Sequence, residues 1–242
     1  MPRHALVTGA SRGIGRATAL RLARDGFAVS VGYAGQAIKA QEVVAEITAA
    51  GGQAIALQAD IAKAADVERL FGDAESAFGP ANVVVNSAGV LKMVSMAKAS
   101  DADLAAILAT NVTGAFNVLR AAANRVPDGG RIISLSTTVV ATAFPNYGLY
   151  SASKAAVDLF TRTLANELRG RNICVNAVAP GPTGTELFFE GKSEELVERL
   201  AKAPPLERIA TPEEIAAVIA FLAGPDGGWV NGQIVRANGG LA

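Results

Sequence analysis

Tyr150 and Lys154 stand four residues apart in Tyr150-Ser151-Ala152-Ser153-Lys154. On a helix that spacing puts both side chains on one face. A free phenol has a pKa of about 10 and exchanges protons poorly at neutral pH. A neighbouring ammonium favours the phenolate and lowers that value. The pair is a candidate acid–base couple, with Lys154 expected to depress the tyrosine. Tyr147 has Ser151 at its own i+4 position and lacks the cation.

A second chemical signal opens the chain. Thr8-Gly9-Ala10-Ser11-Arg12-Gly13-Ile14-Gly15 follows a short apolar run and precedes a helical pattern. Gly9 permits a tight turn, Gly13 lets backbone approach a pyrophosphate, and Gly15 lets the helix pack closely on the strand. The helix N-terminus then presents free N–H groups and partial positive charge to phosphates. The spacing is G-x-x-x-G-x-G rather than the general dinucleotide pattern G-x-G-x-x-G. Its place between a first strand and a first helix makes it a candidate dinucleotide turn.

The second strand-like run ends Val31-Gly32-Tyr33-Ala34-Gly35-Gln36, without a carboxylate. NAD sites place an acid there, on the ribose hydroxyl. Its absence leaves room for a 2′-phosphate, and Arg12 in the glycine turn could meet one by a charge-assisted contact. The expectation is NADP(H).

These residues need elements to hold them. Strand-like runs fall at 5–8, 28–33, 54–58, 83–86, 131–136, 173–178 and 233–236. Several are continuously apolar, the mark of strands buried on both faces in a parallel sheet. Helical patterns lie between them at 14–25, 37–50, 65–78, 104–123, 151–169 and 212–223. Thr211-Pro212-Glu213-Glu214 opens the last with a cap, a Pro and two acids. The alternation predicts a single doubly wound, Rossmann-type α/β domain over residues 1–242, with a mostly parallel seven-stranded sheet and helices on both faces. Residues 180–206 break the rhythm after the sixth strand. That strand's carboxyl end is where ligands bind in such folds, so the segment is a candidate lid.

Composition narrows the classes. Half of the 242 residues are hydrophobic, enough for one sizeable core, and 22 basic residues balance 22 acidic ones. Nothing there calls for nucleic acid or an anionic membrane. The first apolar stretch, 5–7, is too short for a signal peptide or a span. The single cysteine, Cys174, permits no internal disulfide and fits a cytoplasmic setting; its apolar run predicts a buried strand residue. His4 is the only histidine. It excludes a His-based triad or multi-His metal site, no metal is expected, and His4 itself reads as a surface residue.

The chain resembles the short-chain dehydrogenase/reductase family over its whole length. Four blocks carry the likeness: Thr8–Gly15, Asn86-Ser87-Ala88-Gly89, Tyr150–Lys154, and Pro180-Gly181. The overall look is that of the bacterial 3-oxoacyl-carrier-protein reductase branch. The resemblance implies a carbonyl–alcohol oxidoreductase. It implies cofactor contacts from Ser11 and Ile14 in the turn, from Tyr33 and Ala34 after the second strand, and from Asp60 and Ile61 at the adenine. Asn86, Ala88 and Gly89 follow at the fourth strand, then Pro180, Gly181, Thr183 and Thr185 at the nicotinamide. Tyr150 and Lys154 serve both cofactor and catalysis. Asn111 matches the family's helix asparagine, which holds a water in the proton relay. The family's catalytic serine stands 13 residues before the tyrosine, where this chain has Thr137. Threonine keeps the hydroxyl but stiffens χ1. Ser136 is the reserve, although adjacent strand side chains face opposite ways.

Leu91, Met93, Val139, Val140, Phe144, Leu187, Phe188 and Phe189 are the candidate substrate wall, suited to a hydrophobic ketone or aldehyde. A 3-oxoacyl thioester rests on resemblance alone. Apolar residues wrap more than one face of 151–169, which suggests a second buried face against another subunit; the resemblance implies a homotetramer. The alternative is a catalytically silent NADP(H)-binding redox sensor, supported only by the serine-to-threonine change. Intact Asn111, Tyr150 and Lys154 argue against it.

Overall fold

The computed structural model describes residues 3–242. Seven strands form one sheet: β1 (His4–Thr8), β2 (Ala28–Tyr33), β3 (Ala54–Gln58), β4 (Val83–Asn86), β5 (Arg131–Leu135), β6 (Cys174–Pro180) and β7 (Ile234–Ala237). Their order is β3-β2-β1-β4-β5-β6-β7, and every neighbouring pair is parallel. The expected "mostly parallel" sheet is thus parallel throughout. The strand runs are continuously apolar because helices cover both faces. Val7, Val85 and Ile133 point into one core with α1 (Gly13–Arg24), α2 (Ala37–Ala49) and α10 (Pro212–Ala223). Leu6, Val84 and Ile132 point into the other with α3 (Ala64–Phe78), α5 (Ala115–Arg125) and the underside of α7 (Gly148–Glu167).

From β1 the chain winds outward through β2 to β3, then crosses back to β4 on β1's other side. The connections leaving β1 and β4 therefore diverge, and a crevice opens at their carboxyl ends. The candidate site lies at that edge.

Two local features differ from the sequence expectation. The helix expected over 104–123 is broken: α4 (Asp101–Ile107) passes through a π-helical stretch, Leu108–Gly114, into α5. Ser100 and Asp103 form a capping box that starts α4 early. The wide turn brings Asn111 inward, a use of π-helix common at functional sites. Second, His4 is no surface residue. It lies inside β1, 1% exposed, with Nε2 on Ser30 Oγ at 2.9 Å and Nδ1 on the Gly79 carbonyl at 2.8 Å. Burial is tolerated because both ring nitrogens find partners. Residues 180–206 build two short helices, α8 (Glu186–Phe189) and α9 (Glu194–Ala201), in keeping with the short helical patterns of that stretch.

Cys174 is buried in β6 as expected, and α10 starts at its expected residue with the Thr211–Glu214 capping box formed. The run Asp101–Arg125 is long and apolar enough to cross a membrane by length and composition. Here Val118, Leu119 and Ala122 on it enter the core beneath the sheet.

Candidate active site

A cavity of about 410 Å³ runs along the crevice from the glycine turn to Tyr150. At one end Gly9 takes φ 63°, and a Cβ there would lie 2.7 Å from Ala88 Cα. Only glycine lets the turn sit this close to the exit of β4. Ser11, Arg12, Gly13, Ile14 and Gly15 complete the turn and all line the cavity. Among the described residues no carboxylate lies between Tyr33 and Gln36, and Tyr33, Ala34, Gly35 and Gln36 form the wall.

Asp60 and Ile61 line the same end. The Asp60 carboxylate accepts from Ala62 N at 3.1 Å, which holds the turn after β3. The Ile61 side chain packs on Gly114, and its carbonyl accepts from Asn117 Nδ2 at 3.0 Å. Ala88 and Gly89 reach the cavity, whereas Asn86 stands behind the wall. Its Oδ1 accepts from Thr8 Oγ1 at 2.8 Å, and Ala88 N donates to that hydroxyl at 3.3 Å. Asn86 thus ties the ends of β1 and β4 together beneath the crevice.

At the other end α7 carries Tyr150 and Lys154 on its inner face, as the spacing predicts. Lys154 is 5% exposed and donates from Nζ to the Leu135 carbonyl at 2.7 Å. Nζ lies 6.0 Å from the centre of the Tyr150 ring. Thr137 leaves the end of β5 beside the phenol, ahead of the short α6 (Val139–Thr142), and its Oγ1 accepts from Val139 N at 3.3 Å. Ser136, one residue earlier, lies beside Asp158 instead. That is the alternation expected of a strand.

The electrostatics depart from the expectation of a lysine-lowered phenol. Burial pushes Tyr150 up to about 12, with the Thr137 hydroxyl opposing the rise. Burial likewise brings Lys154 down to about 8, partly offset by the Asp158 carboxylate. Loss of solvent outweighs a cation held at this distance.

Asn111 is buried and makes no wall of the cavity; Thr110 does. Its amide is fully engaged: Oδ1 accepts from Val90 N at 2.9 Å, and Nδ2 donates to Val90 O at 2.9 Å and to Ser153 Oγ at 3.0 Å. A Cβ on Gly89 would sit 3.3 Å from Asn111 Oδ1 and 3.4 Å from Lys154 Nζ. Asn111 therefore braces the loop after β4 against α7, in contact with the lysine's neighbourhood.

Pro180, Gly181, Thr183 and Thr185 all line the cavity's roof. Thr185 caps α8 by accepting from Phe188 N at 3.1 Å, and its methyl lies 3.2 Å from where a Gly13 Cβ would be. Of the expected substrate wall, Leu91, Val139, Phe144, Leu187 and Phe188 line the cavity, while Met93, Val140 and Phe189 do not. Phe189 is turned outward, 47% exposed. Sequence reading missed Lys192, whose Nζ stacks on the Phe188 ring at 4.9 Å. It also missed Glu186 of the cavity wall and its partner Lys39, whose Nζ lies 2.6 Å from the carboxylate. No local motif announces partners 147 residues apart.

The cleft fits a dinucleotide. It has a bare glycine turn at a helix N-terminus, an acid-free β2 end, cations at the rim, and a proton-carrying phenol at the far end. The comparisons agree with this class of protein. A family model described as enoyl-(acyl carrier protein) reductase matches residues 9–242. A short-chain type dehydrogenase/reductase of Picea abies is 48% identical over 248 residues, spanning 98% of this chain and 92% of the relative. An NADPH-dependent aldehyde reductase-like protein, chloroplastic, of Arabidopsis thaliana is 43% identical, spanning 98% and 93%. A crystal structure of a short chain dehydrogenase from Burkholderia cenocepacia J2315 in complex with NADP superposes with a TM-score of 0.93, at 37% identity and 99% and 97% coverage. This chain belongs to the short-chain dehydrogenase/reductase family.

Proposed function

We propose that this protein is an NADPH-dependent reductase that converts a hydrophobic aldehyde or ketone to its alcohol with Tyr150 as the proton donor. The enzyme class, an NADP-dependent oxidoreductase, is supported by the NADP complex of a structural neighbour and by reductase relatives. The observation that carries the finer reading is the placement of Tyr150, Thr137 and buried Lys154 at one end of the cavity that begins at the glycine turn.

NADPH, when bound, supplies the hydride. The protein's task is to orient the carbonyl, stabilise charge on its oxygen and deliver a proton. Tyr150 and Thr137 present hydroxyls to one point, where a carbonyl oxygen gathers negative charge. A phenol held near about 12 stays protonated at neutral pH and is ready to donate, which favours the reductive direction. Lys154, with Nζ 6.0 Å from the centre of the Tyr150 ring, adds a positive charge to this end of the cleft and would orient the cofactor's ribose. Asn111 braces Val90 and Ser153 around this group, and the relay to solvent passes beside it.

Leu91, Val139, Phe144, Leu187 and Phe188 make the substrate end apolar, which suits a carbonyl compound with a hydrophobic body. A 3-oxoacyl thioester belongs in the substrate panel on the strength of the family branch. Residues 180–206 act as the lid, the assembly is a homotetramer, and the setting is cytoplasmic; these complete the proposal. The direct test is cofactor oxidation against aldehydes, ketones, β-ketoesters and a 3-oxoacyl thioester. Turnover of one class, lost in Tyr150→Phe, supports the reading. Tight NADPH binding with no turnover of any member would favour a redox sensor.

A further inference from the structure

Glu186, the first residue of α8, reaches from the covering segment to two cations on different elements. Its Oε2 accepts from Arg12 Nη1 at 3.1 Å, and its Oε1 accepts from Lys39 Nζ at 2.6 Å. Arg12 is the residue before α1, in the glycine turn. Lys39 lies in the first turn of α2, directly after the Tyr33–Gln36 wall. One carboxylate thus draws together two positive charges at the end of β2, where no acid of that strand stands. The neighbouring Thr185 rests against the glycine turn, so the contact is part of how the segment seats over the cleft.

Two convergent cations at the acid-free end of β2 have the chemistry to hold a phosphate monoester on a ribose. A carboxylate is a smaller anion with the same preference for paired N–H donors. Lys39 and Arg12 hold the Glu186 carboxyl below its usual range, so it remains ionised around neutral pH.

We propose that Glu186 is a built-in competitor for Arg12 and Lys39, the two cations placed to meet a ribose 2′-phosphate. This rests on the reading of the cleft as an NADP(H) site. Before the phosphate can bind, the segment's carboxylate must give up both partners. Only the fraction of molecules with the cations free is competent, which weakens the apparent affinity for the phosphorylated cofactor. A cofactor without the phosphate does not meet this competition. The side chains are 43%, 37% and 56% exposed for Arg12, Lys39 and Glu186, so each pair is weak and the effect moderate.

The test is calorimetric titration of NADPH, NADH and adenosine 2′,5′-bisphosphate into the wild type, Glu186→Gln and Lys39→Met. Glu186→Gln is expected to tighten NADPH and the bisphosphate about three- to ten-fold and leave NADH within about two-fold. Lys39→Met is expected to weaken NADPH and the bisphosphate several-fold and leave NADH unchanged. The proposal is overturned if Glu186→Gln leaves NADPH binding unchanged or weaker, or shifts NADH equally. It is also overturned if Lys39→Met tightens NADPH, since Lys39 would then serve only to hold Glu186. Turnover of Tyr150→Phe, measured apart from these titrations, tests the proton donor separately. Failure of the proton-donor reading appears in turnover and leaves these affinities untouched, whereas a wild type that does not prefer NADPH refutes the cofactor reading itself.

Discussion

The phenol and the ammonium of the site respond to burial in opposite senses, and that sets the pH behaviour expected of it. Tyr150 is held near about 12, so it stays a proton donor across the accessible range. Lys154 is held near about 8, so its charge is present below that pH and lost above it. The rate of carbonyl reduction, measured as kcat/KM, should therefore be flat below about pH 8 and fall above it; a profile rising through pH 9 contradicts this assignment. Thr137→Val should cut turnover by about 10²-fold or more, while Thr137→Ser retains most of it. Steady-state kinetics of the pair decide between Thr137 and Ser136, since only the first lies beside the phenol. Tyr150 and Lys154 were legible in the sequence because the helix period puts residues four apart on one face, whereas Thr137 came from the family resemblance, with strand alternation setting it apart from Ser136. Asn86 and Asn111 came from the family likeness, and their place behind the cavity wall was not legible. Their amides are consumed by Thr8, Val90 and Ser153, and such pairings across 21 to 78 residues leave no local pattern.

At the scale of elements, strand runs and glycine turn were legible because a buried parallel sheet demands unbroken apolar segments. The break at Leu108–Gly114 was not, since its residues read as ordinary helix, and the wide turn that buries Asn111 has no local sequence mark. His4 was misread for a related reason: a histidine near a chain start is usually solvated, and its partners Ser30 and Gly79 lie far along the sequence. Burial lowers its pKa, with the Gly79 carbonyl and Glu75 opposing. The unfolded chain therefore takes up a proton near about pH 6.5 while the folded one resists it to lower pH. Stability contributed by neutral His4 is complete above that pH and is lost as pH falls below it. Thermal melts from pH 7.5 to 5 should show a decline that His4→Gln flattens, at an overall cost of roughly 1–3 kcal/mol from the broken ring contacts. Melts of equal slope in both proteins would remove His4 from this role.

For the whole molecule, apolar surface remains after the sheet is covered. Leu159 on α7 is 64% exposed, Phe116 on α5 is 46% exposed, and Trp229 before β7 is fully exposed. The wide apolar arc of α7 was visible in the sequence, and its outward part now has Phe116 beside it, with the Phe116 and Phe160 rings 6.2 Å apart. Surface of this kind is expected to be buried between subunits. Light scattering at micromolar concentration should report a tetramer, and Leu159→Glu should reduce it to a smaller species; a wild-type monomer would contradict the proposed assembly. The central claim is that the cleft reduces carbonyl compounds through Tyr150. Its most direct test is NADPH oxidation with a hydrophobic aldehyde or ketone by the wild type and Tyr150→Phe, with NADPH affinity measured for both. The account predicts turnover by the wild type and a loss of about 10²- to 10⁴-fold in a variant that still binds NADPH. A variant that keeps wild-type turnover would contradict it.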